Sequence, residues 1–299
     1  ERFELLMEKE YKPAPTRFSA YVELTKPRIT LLVVITTALG FYLGGRGFNA
    51  LFPLISVLFG TGLVSSGAGA INHYMERETD CLMIRTRNRP IPAGILQAEK
   101  VFWFGFILIF SGVFVLLSFV NLLTSFMALL TAFLYIFVYT PLKKVTWLNT
   151  SIGAIPGSIP PLGGWVADTG QLDQAAWALF AIMYLWQHPH FYAIAQLCKQ
   201  DYARAGLQML PVLEDSLKRT NRQILWHSAL LIPISVLPSL LGISGSVYFL
   251  GAGIMSIGYM MAGLPLFQRD QLKRAKFLLK ASVIYLPALF ALIIIDLAY

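Results

Sequence analysis

The sequence predicts an all-α polytopic membrane protein with nine transmembrane helices. Of its 299 residues, 56% are hydrophobic and 13% are charged, and the mean hydropathy is +0.62. Such values are typical of a chain that lies mostly in lipid rather than of a soluble domain. Nine apolar segments are long enough to cross the roughly 30 Å hydrocarbon core of a bilayer. The basic residues, moreover, alternate between the loops that join these segments.

Each predicted span is a mainly apolar segment. In chain order the spans lie at residues 29–45, 51–71, 101–119, 122–140, 147–167, 175–197, 225–242, 246–265 and 279–297. The fifth span is rich in glycine and proline, which disfavour a regular helix. Residues 1–25, with Tyr11, Pro13 and Pro15, are predicted to be a cytoplasmic arm at the membrane surface. Residues 26–299 are predicted to form a single transmembrane domain.

Lysine and arginine residues give the orientation of the chain. Cytoplasmic loops of membrane proteins carry the excess of these residues. With nine spans, Arg46 is the one exception among 24 lysines and arginines that otherwise lie in the amino-terminal arm or after an even-numbered span. The amino terminus is therefore predicted in the cytoplasm and the carboxy terminus outside. The membrane is expected to be the prokaryotic cytoplasmic membrane, with the mitochondrial inner membrane as the less favoured alternative.

The same asymmetry accounts for the basic character of the chain. The net charge is +8 and the isoelectric point is near 9.5. Because the basic residues are spread through membrane loops instead of being gathered on one folded surface, no nucleic-acid partner is predicted.

Amide and carboxylate side chains follow the second span at four-residue spacing. On a helix, Asn72, Glu76 and Asp80 can all point to one side. Oxygen ligands of this kind suit Mg²⁺, which is commonly held by one or two carboxylates together with waters and substrate phosphates. The alternative is an interfacial helix end whose charges are solvated.

A basic segment comes directly after the acidic residues. Arg85, Arg87 and Arg89 lead to Pro90. Arginine binds phosphate oxygens in pairs, so an acidic face followed by these residues predicts a metal ion together with a polyphosphate.

A second polar cluster lies in and after the sixth span. Gln187, His188 and His190 fall within or near the span, and Asp201 follows it. Ionisable or polar residues at membrane depth suggest a functional site, although a single histidine there often only bonds a neighbouring helix. Pro189 is expected to break the helical hydrogen-bond ladder and to make room for a large ligand. Since both clusters follow even-numbered spans, they are predicted to face each other across one cavity.

These motifs resemble the UbiA family of intramembrane prenyltransferases along nearly the whole chain. The matching motifs are Leu24-Thr-Lys-Pro-Arg-Ile29, Asn72-x3-Glu76-x3-Asp80-x2-Met83-x-Arg85-Thr86-x2-Arg89-Pro90, Tyr139-Thr140, Pro160-Pro161-Leu-Gly163, Trp186-Gln187-x-Pro189-His190-Phe191 and Asp201-Tyr202. The spacing of the asparagine and the two acids marks the family. The arginine segment and the segment around His190 resemble its heme-modifying branch.

The resemblance implies a UbiA-type helix bundle around an intramembrane cavity that opens toward the cytoplasmic side. It implies an enzyme that transfers a farnesyl group from farnesyl diphosphate to a vinyl group of protoheme IX, with water completing a hydroxyethylfarnesyl side chain. Mg²⁺ is the implied cofactor, and heme is a substrate rather than a retained group. The family's pathway implies heme A synthase or terminal-oxidase assembly factors as further partners, besides the lipid membrane.

Residue roles follow from the resemblance and from this chemistry. Asn72, Glu76 and Asp80 are assigned to Mg²⁺ and, with Asp201, to catalysis. Arg85, Arg89, Lys143 and Lys199 are assigned to the diphosphate. Tyr139, Gln187 and His190 are assigned to substrate binding, with His190 as a ligand of the heme iron. In two places the sequence departs from the family: Glu76 stands where many relatives have aspartate, and Ala205 stands where a second aspartate often follows Asp201.

Other functions stay open at this point. A prenyltransferase acting on a quinone precursor or another aromatic acceptor would share the fold and the first cluster. A secondary transporter would also have many spans and interrupted helices, but its polar groups are expected near the midplane of the membrane. A lipid phosphotransferase would need a glycine-containing multi-aspartate motif that the sequence lacks. The isoprenoid length, the oligomeric state and the choice between His188 and His190 are not decided by the sequence.

Overall fold

The computed structural model describes residues 16–45, 47, 50–264 and 270–297. Within these ranges every regular element is helical, and extended pairing is limited to an isolated bridge between Ser244 and Leu297. The all-α prediction is confirmed. Residues 1–15 of the predicted arm and Arg46, the exception to the charge pattern, lie outside the described residues.

The described chain forms α-helices that we number in chain order. They are α1 (Arg17–Leu24), α2 (Pro27–Gly45), α3 (Leu51–Met75), α4 (Arg77–Leu82), α5 (Ala98–Phe119), α6 (Leu122–Phe133), α7 (Thr140–Leu142), α8 (Asn149–Thr169), α9 (Gln174–Leu197), α10 (Lys199–Arg204), α11 (Lys218–Ser235), α12 (Leu237–Leu240), α13 (Ser246–Gly263) and α14 (Gln271–Ile295). A π-helical segment at Leu134–Tyr139 joins α6 to α7, and a 3₁₀ turn at Leu210–Val212 precedes α11.

In the described part of the chain, seven helical stretches are long and apolar enough to cross a membrane. They are α2, α3, α5, Leu122–Leu142, Lys218–Leu240, α13 and α14. The predicted fifth and sixth spans coincide with α8 and α9, helices of 21 and 24 residues whose prolines and polar side chains reduce their apolar character. The count of nine spans therefore stays a prediction.

Two spans begin earlier than their apolar runs suggest. We predict starts at residues 225 and 279, whereas α11 and α14 begin at Lys218 and Gln271. An apolar window stops at the first charged residues, but a helix can continue through them into the loop. Asp270 fixes the start of α14, because its carboxylate accepts hydrogen bonds from the backbone N–H groups of Leu272 and Lys273.

Helices α2 and α8 approach each other closely enough for their backbones to touch. A Cβ atom added at Gly40 would lie 1.9 Å from the carbonyl oxygen of Pro161, and one at Gly164 would lie 1.9 Å from that of Thr37. In lipid, where burial of apolar surface does not drive helix association, small residues stabilise such contacts by close packing. This contact fixes the position of α2 relative to α8. Both helices contribute residues to the wall of the site described below.

The outside of the bundle is apolar. Large side chains such as Phe114, Ile254 and Ile284 are exposed. An apolar surface of this extent would be unfavourable in water and is expected for a surface that contacts lipid. The structure thus agrees with an integral membrane protein.

Candidate active site

A cavity of about 530 Å³ lies inside the bundle, between α2, α3, α6, α8 and α9. Lys26, Tyr139 and Lys143 line one end of it, and Gln187 and His190 line its wall on α9. Its volume falls in the usual range for small-molecule sites. The bundle therefore contains a chamber that reaches the second polar cluster, whereas Asn72, Glu76 and Asp80 of the first cluster do not line it.

Asn72 lies behind Lys26 at this polar end. Its side chain is fully buried in the last turn of α3. The Asn72 carboxamide oxygen accepts a hydrogen bond from the Lys26 ammonium, and the amide nitrogen donates to the Thr140 hydroxyl at 3.0 Å. Asn72 thereby fixes the lysine that faces the cavity.

Glu76 occupies a similar position behind Lys143. Their carboxylate and ammonium groups lie 2.6 Å apart, and the ammonium also lies 4.5 Å from the centre of the Tyr139 ring. Burial raises the pKa of the Glu76 carboxyl, but Lys143 and Lys26 outweigh burial and lower that pKa to about 2. Burial lowers the pKa of Lys143, but the Glu76 carboxylate outweighs it and the pKa is raised. Both groups are therefore charged.

Asp80, on α4, is paired with Arg89. The fully buried carboxylate accepts hydrogen bonds to both oxygens from the Arg89 guanidinium, each at 2.8 Å. The Thr86 hydroxyl donates to the Asp80 carbonyl oxygen at 3.0 Å, which holds the arginine loop against α4. Both oxygens of the fully buried Asp80 carboxylate are thus bonded to one nitrogen of Arg89.

The predicted one-sided arrangement of these residues survives a break in the helix. α3 ends at Met75 and α4 begins at Arg77. Even so, the backbone N–H of Glu76 donates to the Asn72 carbonyl oxygen at 2.9 Å, and that of Asp80 to the Glu76 carbonyl oxygen at 2.8 Å. The helical register is thus kept, and all three side chains meet one group of cations, Lys26, Lys143 and Arg89.

Asp201 and Lys199, on α10, do not line the cavity. The Asp201 carboxylate accepts hydrogen bonds from the backbone N–H groups of Ile84 and Arg85 at 3.2 and 3.3 Å and from the Arg204 guanidinium at 2.8 Å. The Lys199 ammonium donates to the Glu214 carbonyl oxygen at 2.8 Å. Asp201 therefore ties α10 to the exposed segment that carries Arg85, and the predicted catalytic and phosphate-binding roles of these residues stay predictions.

The structure separates the two histidines of α9. His188 is fully buried, with Nδ1 donating to the Tyr184 carbonyl oxygen at 2.8 Å and Nε2 bonded to the Ser151 hydroxyl at 3.0 Å. Both of its ring nitrogens are occupied, and it does not line the cavity. α9 also continues unbroken through Pro189, so the expected opening of the helix there is wrong.

His190 lines the cavity and has one ring nitrogen to offer. The Ser282 hydroxyl donates its hydrogen to the Leu279 carbonyl oxygen at 2.6 Å, so the hydrogen bond of 2.7 Å between Ser282 and His190 requires Nδ1 to be the donor. Nε2 then carries a lone pair and has no hydrogen-bond partner in the described part of the chain. A neutral imidazole with a free nitrogen is the form that binds a metal.

Gln187 lies one helical turn before His190. Its amide nitrogen donates to the Ser158 hydroxyl at 2.9 Å and to the Met183 carbonyl oxygen at 3.0 Å, which fixes the orientation of the amide. The amide oxygen lies over Gly157, where a Cβ atom would be 2.1 Å from it. Gln187 thus presents a fixed acceptor on the cavity wall.

A comparison with known proteins identifies the family of the chain. Residues 33–284 match the model of the UbiA prenyltransferase family. The chain belongs to the UbiA prenyltransferase family. Among its curated relatives, the protoheme IX farnesyltransferase of Solibacter usitatus is 43% identical over 92% of this chain and 98% of the relative. That of Sorangium cellulosum is 46% identical over 81% of this chain and 86% of the relative.

Solved structures of UbiA proteins share the fold. A digeranylgeranylglyceryl phosphate synthase structure superposes with a TM-score of 0.79 at 20% identity, covering 93% of this chain and 98% of that one. A UbiA homologue from Archaeoglobus fulgidus bound to GPP and Mg²⁺ gives a TM-score of 0.67 at 15% identity, covering 92% and 99%. These likenesses establish a UbiA fold for the chain.

The residues of this UbiA protein fit Mg²⁺ in the type of donor they provide. Asn72, Glu76 and Asp80 offer one amide and two carboxylate groups, and Mg²⁺ commonly takes one or two carboxylates with substrate phosphates. Among the described residues, however, no group of three or more His, Cys, Asp or Glu side chains is arranged to hold a metal. Both carboxylates are paired with cations, and the assignment of Asn72, Glu76 and Asp80 to Mg²⁺ stays a prediction.

Reasoning from the sequence misses Lys26 as a site residue of this UbiA protein. It treats Lys26 as one of the topological charges of the arm, whereas the structure places its ammonium between Asn72 and Tyr135, with the Tyr135 hydroxyl 3.2 Å away. Lys26 has a φ of 49°, in the left-handed region that side chains rarely adopt. The signal in the sequence is Pro27, which starts α2 immediately after this residue.

Proposed function

We propose that this prenyltransferase transfers a farnesyl group from farnesyl diphosphate to a vinyl group of protoheme IX and so forms the hydroxyethylfarnesyl side chain of heme O. One observation carries the proposal: a single apolar cavity has two lysines at one end and a neutral imidazole with a free nitrogen on its wall. The lysines suit a diphosphate, and the imidazole suits a heme iron. The curated relatives named protoheme IX farnesyltransferase support the same substrates.

Lys26 and Lys143 bind and stabilise the leaving diphosphate. As the carbon–oxygen bond of farnesyl diphosphate breaks, negative charge concentrates on the diphosphate oxygens. Fixed cations aimed at developing charge stabilise a transition state more than a ground state. Mg²⁺, held by Asn72, Glu76 and Asp80 when bound, adds further positive charge for the departing oxygens. Arg85, Arg89 and Lys199 stand farther out and assist the approach of the diphosphate from the loops.

The cavity protects the allylic cation that the diphosphate leaves behind. Water would consume this cation, and an apolar chamber within the membrane excludes water. The face of the Tyr139 ring, next to Lys143, stabilises positive charge as the bond breaks.

His190 positions the acceptor through the heme iron. Its Nε2 points away from the Ser282 bond, and its ring stacks on Trp186 with centroids 5.0 Å apart and an interplanar angle of 24°. The serine and the tryptophan together restrict rotation of the imidazole. The attacking vinyl group is thereby held against the farnesyl cation.

Gln187 positions the water that completes the product. When the vinyl π electrons form the new carbon–carbon bond, a cation remains on the carbon next to the pyrrole ring. A water oxygen bonds to this carbon and releases one proton to solvent. The Gln187 amide oxygen, one turn from His190, accepts a hydrogen bond from that water.

The proposed topology keeps the nine predicted spans, with α8 and α9 as the fifth and sixth. Residues 26–299 then form one transmembrane domain, the cavity opens toward the cytoplasm, and the amino terminus with its arm is cytoplasmic in a prokaryotic cytoplasmic membrane. The distribution of lysine and arginine supports this orientation. Heme A synthase or terminal-oxidase assembly factors are the proposed partners, since the product needs further conversion before use.

The test is the mass of the heme after reaction. Purified protein is incubated with protoheme IX, farnesyl diphosphate and Mg²⁺, and the extracted heme is analysed by mass spectrometry. Heme that gains one hydroxyfarnesyl unit supports the proposal. Unchanged heme, in a preparation that farnesylates an aromatic acid offered as a quinone precursor, would assign the protein to the alternative acceptor class.

A further inference from the structure

The cavity ends at one level on three helices. Along α2, α6 and α8 the lining residues farthest from the two lysines are Thr37, Thr124 and Gly163. Gly153, whose added Cβ would lie 2.4 Å from the Tyr139 ring, marks the polar end on α8. From Gly153 to Gly163 the helix rises by roughly 15 Å. The chamber is therefore a long pocket that runs from charged groups to a distal end.

Rigid backbone bounds the distal end on the side where α2 meets α8. At that level Gly164 packs against the carbonyl oxygen of Thr37, and Gly40 packs against that of Pro161. Backbone atoms in contact cannot move aside without separating α2 from α8. The floor of the pocket is therefore rigid along the α2–α8 contact.

The wall near the floor is largely apolar, although the buried Thr124 hydroxyl has no hydrogen-bond partner in the described structure. The hydroxyl groups of Thr36, Thr37 and Thr131 donate to carbonyl oxygens of their own helices at 2.8 to 3.0 Å. Because these hydroxyl groups are bonded to backbone, they are not offered to a ligand. This region suits a hydrocarbon chain better than the propionate groups of a porphyrin.

Gly163 differs from the other glycines on this wall of α8. A Cβ atom at Gly153 or Gly157 would collide with Tyr139 or Gln187, whereas one at Gly163 would meet no atom of the described structure within 4 Å. Gly163 nevertheless lines the cavity, so that free space lies inside the pocket. A methyl group at this position would therefore enter the distal end without displacing protein atoms.

We infer that Gly163 sets the length of the isoprenoid chain that the enzyme accepts. A diphosphate bound at Lys26 and Lys143 directs its hydrocarbon chain toward the floor, and the absent side chain at Gly163 leaves room for the last isoprene unit. The inference rests on the proposed function, because it assigns the distal pocket to the isoprenoid and the wall at His190 to the heme.

The experiment compares Gly163→Leu with a matched control. Gly258 on α13 also has no atom within 4 Å of an added Cβ, but it does not line the cavity, so Gly258→Leu makes the same chemical change elsewhere. The specificity constant kcat/KM is measured with farnesyl and geranyl diphosphate, which differ by one isoprene unit. For Gly163→Leu the preference for geranyl over farnesyl should rise at least about 10-fold, as expected when a pocket loses room for a few carbons. For Gly258→Leu the ratio should not change.

A second variant and a binding measurement keep the two proposals apart. Gly163→Ala, which adds one methyl group, should shift the ratio in the same direction by a smaller factor and covers the case in which the leucine variant does not fold. Calorimetric binding of the thiolodiphosphate analogues of both substrates, in the absence of heme, should show the same change in preference. That measurement tests Gly163 even if protoheme proves not to be the acceptor.

Equal losses for both chain lengths in the folded Gly163 variants would overturn the inference. So would a wild-type enzyme that accepts geranylgeranyl diphosphate as well as farnesyl diphosphate, because the pocket would then set no limit at Gly163.

Discussion

The Asp80–Arg89 pair allows the structural and catalytic roles of the first acidic cluster to be separated. Asp80 is fully buried, and both of its oxygens accept 2.8 Å hydrogen bonds from Arg89. Asp80→Asn keeps the shape of the side chain but removes the charge that Arg89 and the proposed Mg²⁺ require. We expect this substitution to reduce both stability and turnover, through different interactions.

The expected loss of stability follows from the environment of the pair. Removing one partner of a buried ion pair destabilises a protein by about 3–5 kcal/mol, because the other charge stays buried without compensation. The Arg89 side chain is 19% exposed, so water can reach it. The loss of unfolding free energy should therefore lie near the lower value, about 3 kcal/mol. Replacing both residues, as in Asp80→Asn with Arg89→Gln, removes the uncompensated charge. The double variant should therefore recover much of the stability.

Turnover should behave differently. Loss of a group that stabilises developing charge typically reduces kcat by about 100- to 1,000-fold, and removal of Arg89 does not restore such a group. Unfolding in mixed detergent micelles gives the stability of each variant, and mass spectrometry of heme gives its turnover. Near wild-type turnover of the double variant would show that Asp80 acts only through Arg89, and the metal assignment would be refuted.

Three further predictions concern the remaining parts of the site. His190→Ala should abolish the spectral change on heme binding and leave the affinity for farnesyl thiolodiphosphate within about 2-fold; the opposite pattern would exclude an iron ligand at this position. Excess EDTA should stop farnesyl transfer and added Mg²⁺ should restore it, so an undiminished rate in EDTA would contradict a metal-assisted mechanism. Gln187→Leu should yield a product that is one water lighter, since the cation then loses a proton from carbon instead of gaining a hydroxyl group. Gln196 is also buried but does not line the cavity, so a Gln196→Leu control should give the normal product mass.

The sequence predicts contacts along one helix better than contacts between helices. Four-residue spacing correctly places Asn72, Glu76 and Asp80 in one helical register, because that geometry depends on local hydrogen bonds. It does not reveal that Lys143, 67 positions away, neutralises Glu76. Such a pairing depends on the packing of α3 against the π-helical segment Leu134–Tyr139 that leads into α7, which no local pattern encodes. The predicted metal face is consequently also a set of ion pairs.

The choice between the two histidines shows the same limit. His188 and His190 are separated by one proline in a single motif, and nothing local distinguishes them. The difference comes from two hydrogen bonds. Ser151 on α8 bonds Nε2 of His188, and Ser282 on α14 bonds Nδ1 of His190. Two serines outside any motif thus bond the buried imidazole and the imidazole that lines the cavity.

The pairing of the acids also explains how charged groups persist in an apolar chamber before a substrate arrives. An isolated ammonium group buried in the membrane would tend to lose its proton, because burial disfavours the charged form. Glu76 keeps Lys143 charged, and Asn72 gives Lys26 a polar partner. Around Lys26 lie two carboxylates, Glu76 and Asp80, and two further cations, Lys143 and Arg89, and burial lowers the pKa of Lys26 to about 7. An anionic diphosphate that arrives from the loops would favour the charged form of Lys26, and the ion pairs meanwhile hold the other cations in the position where the phosphate oxygens will need them.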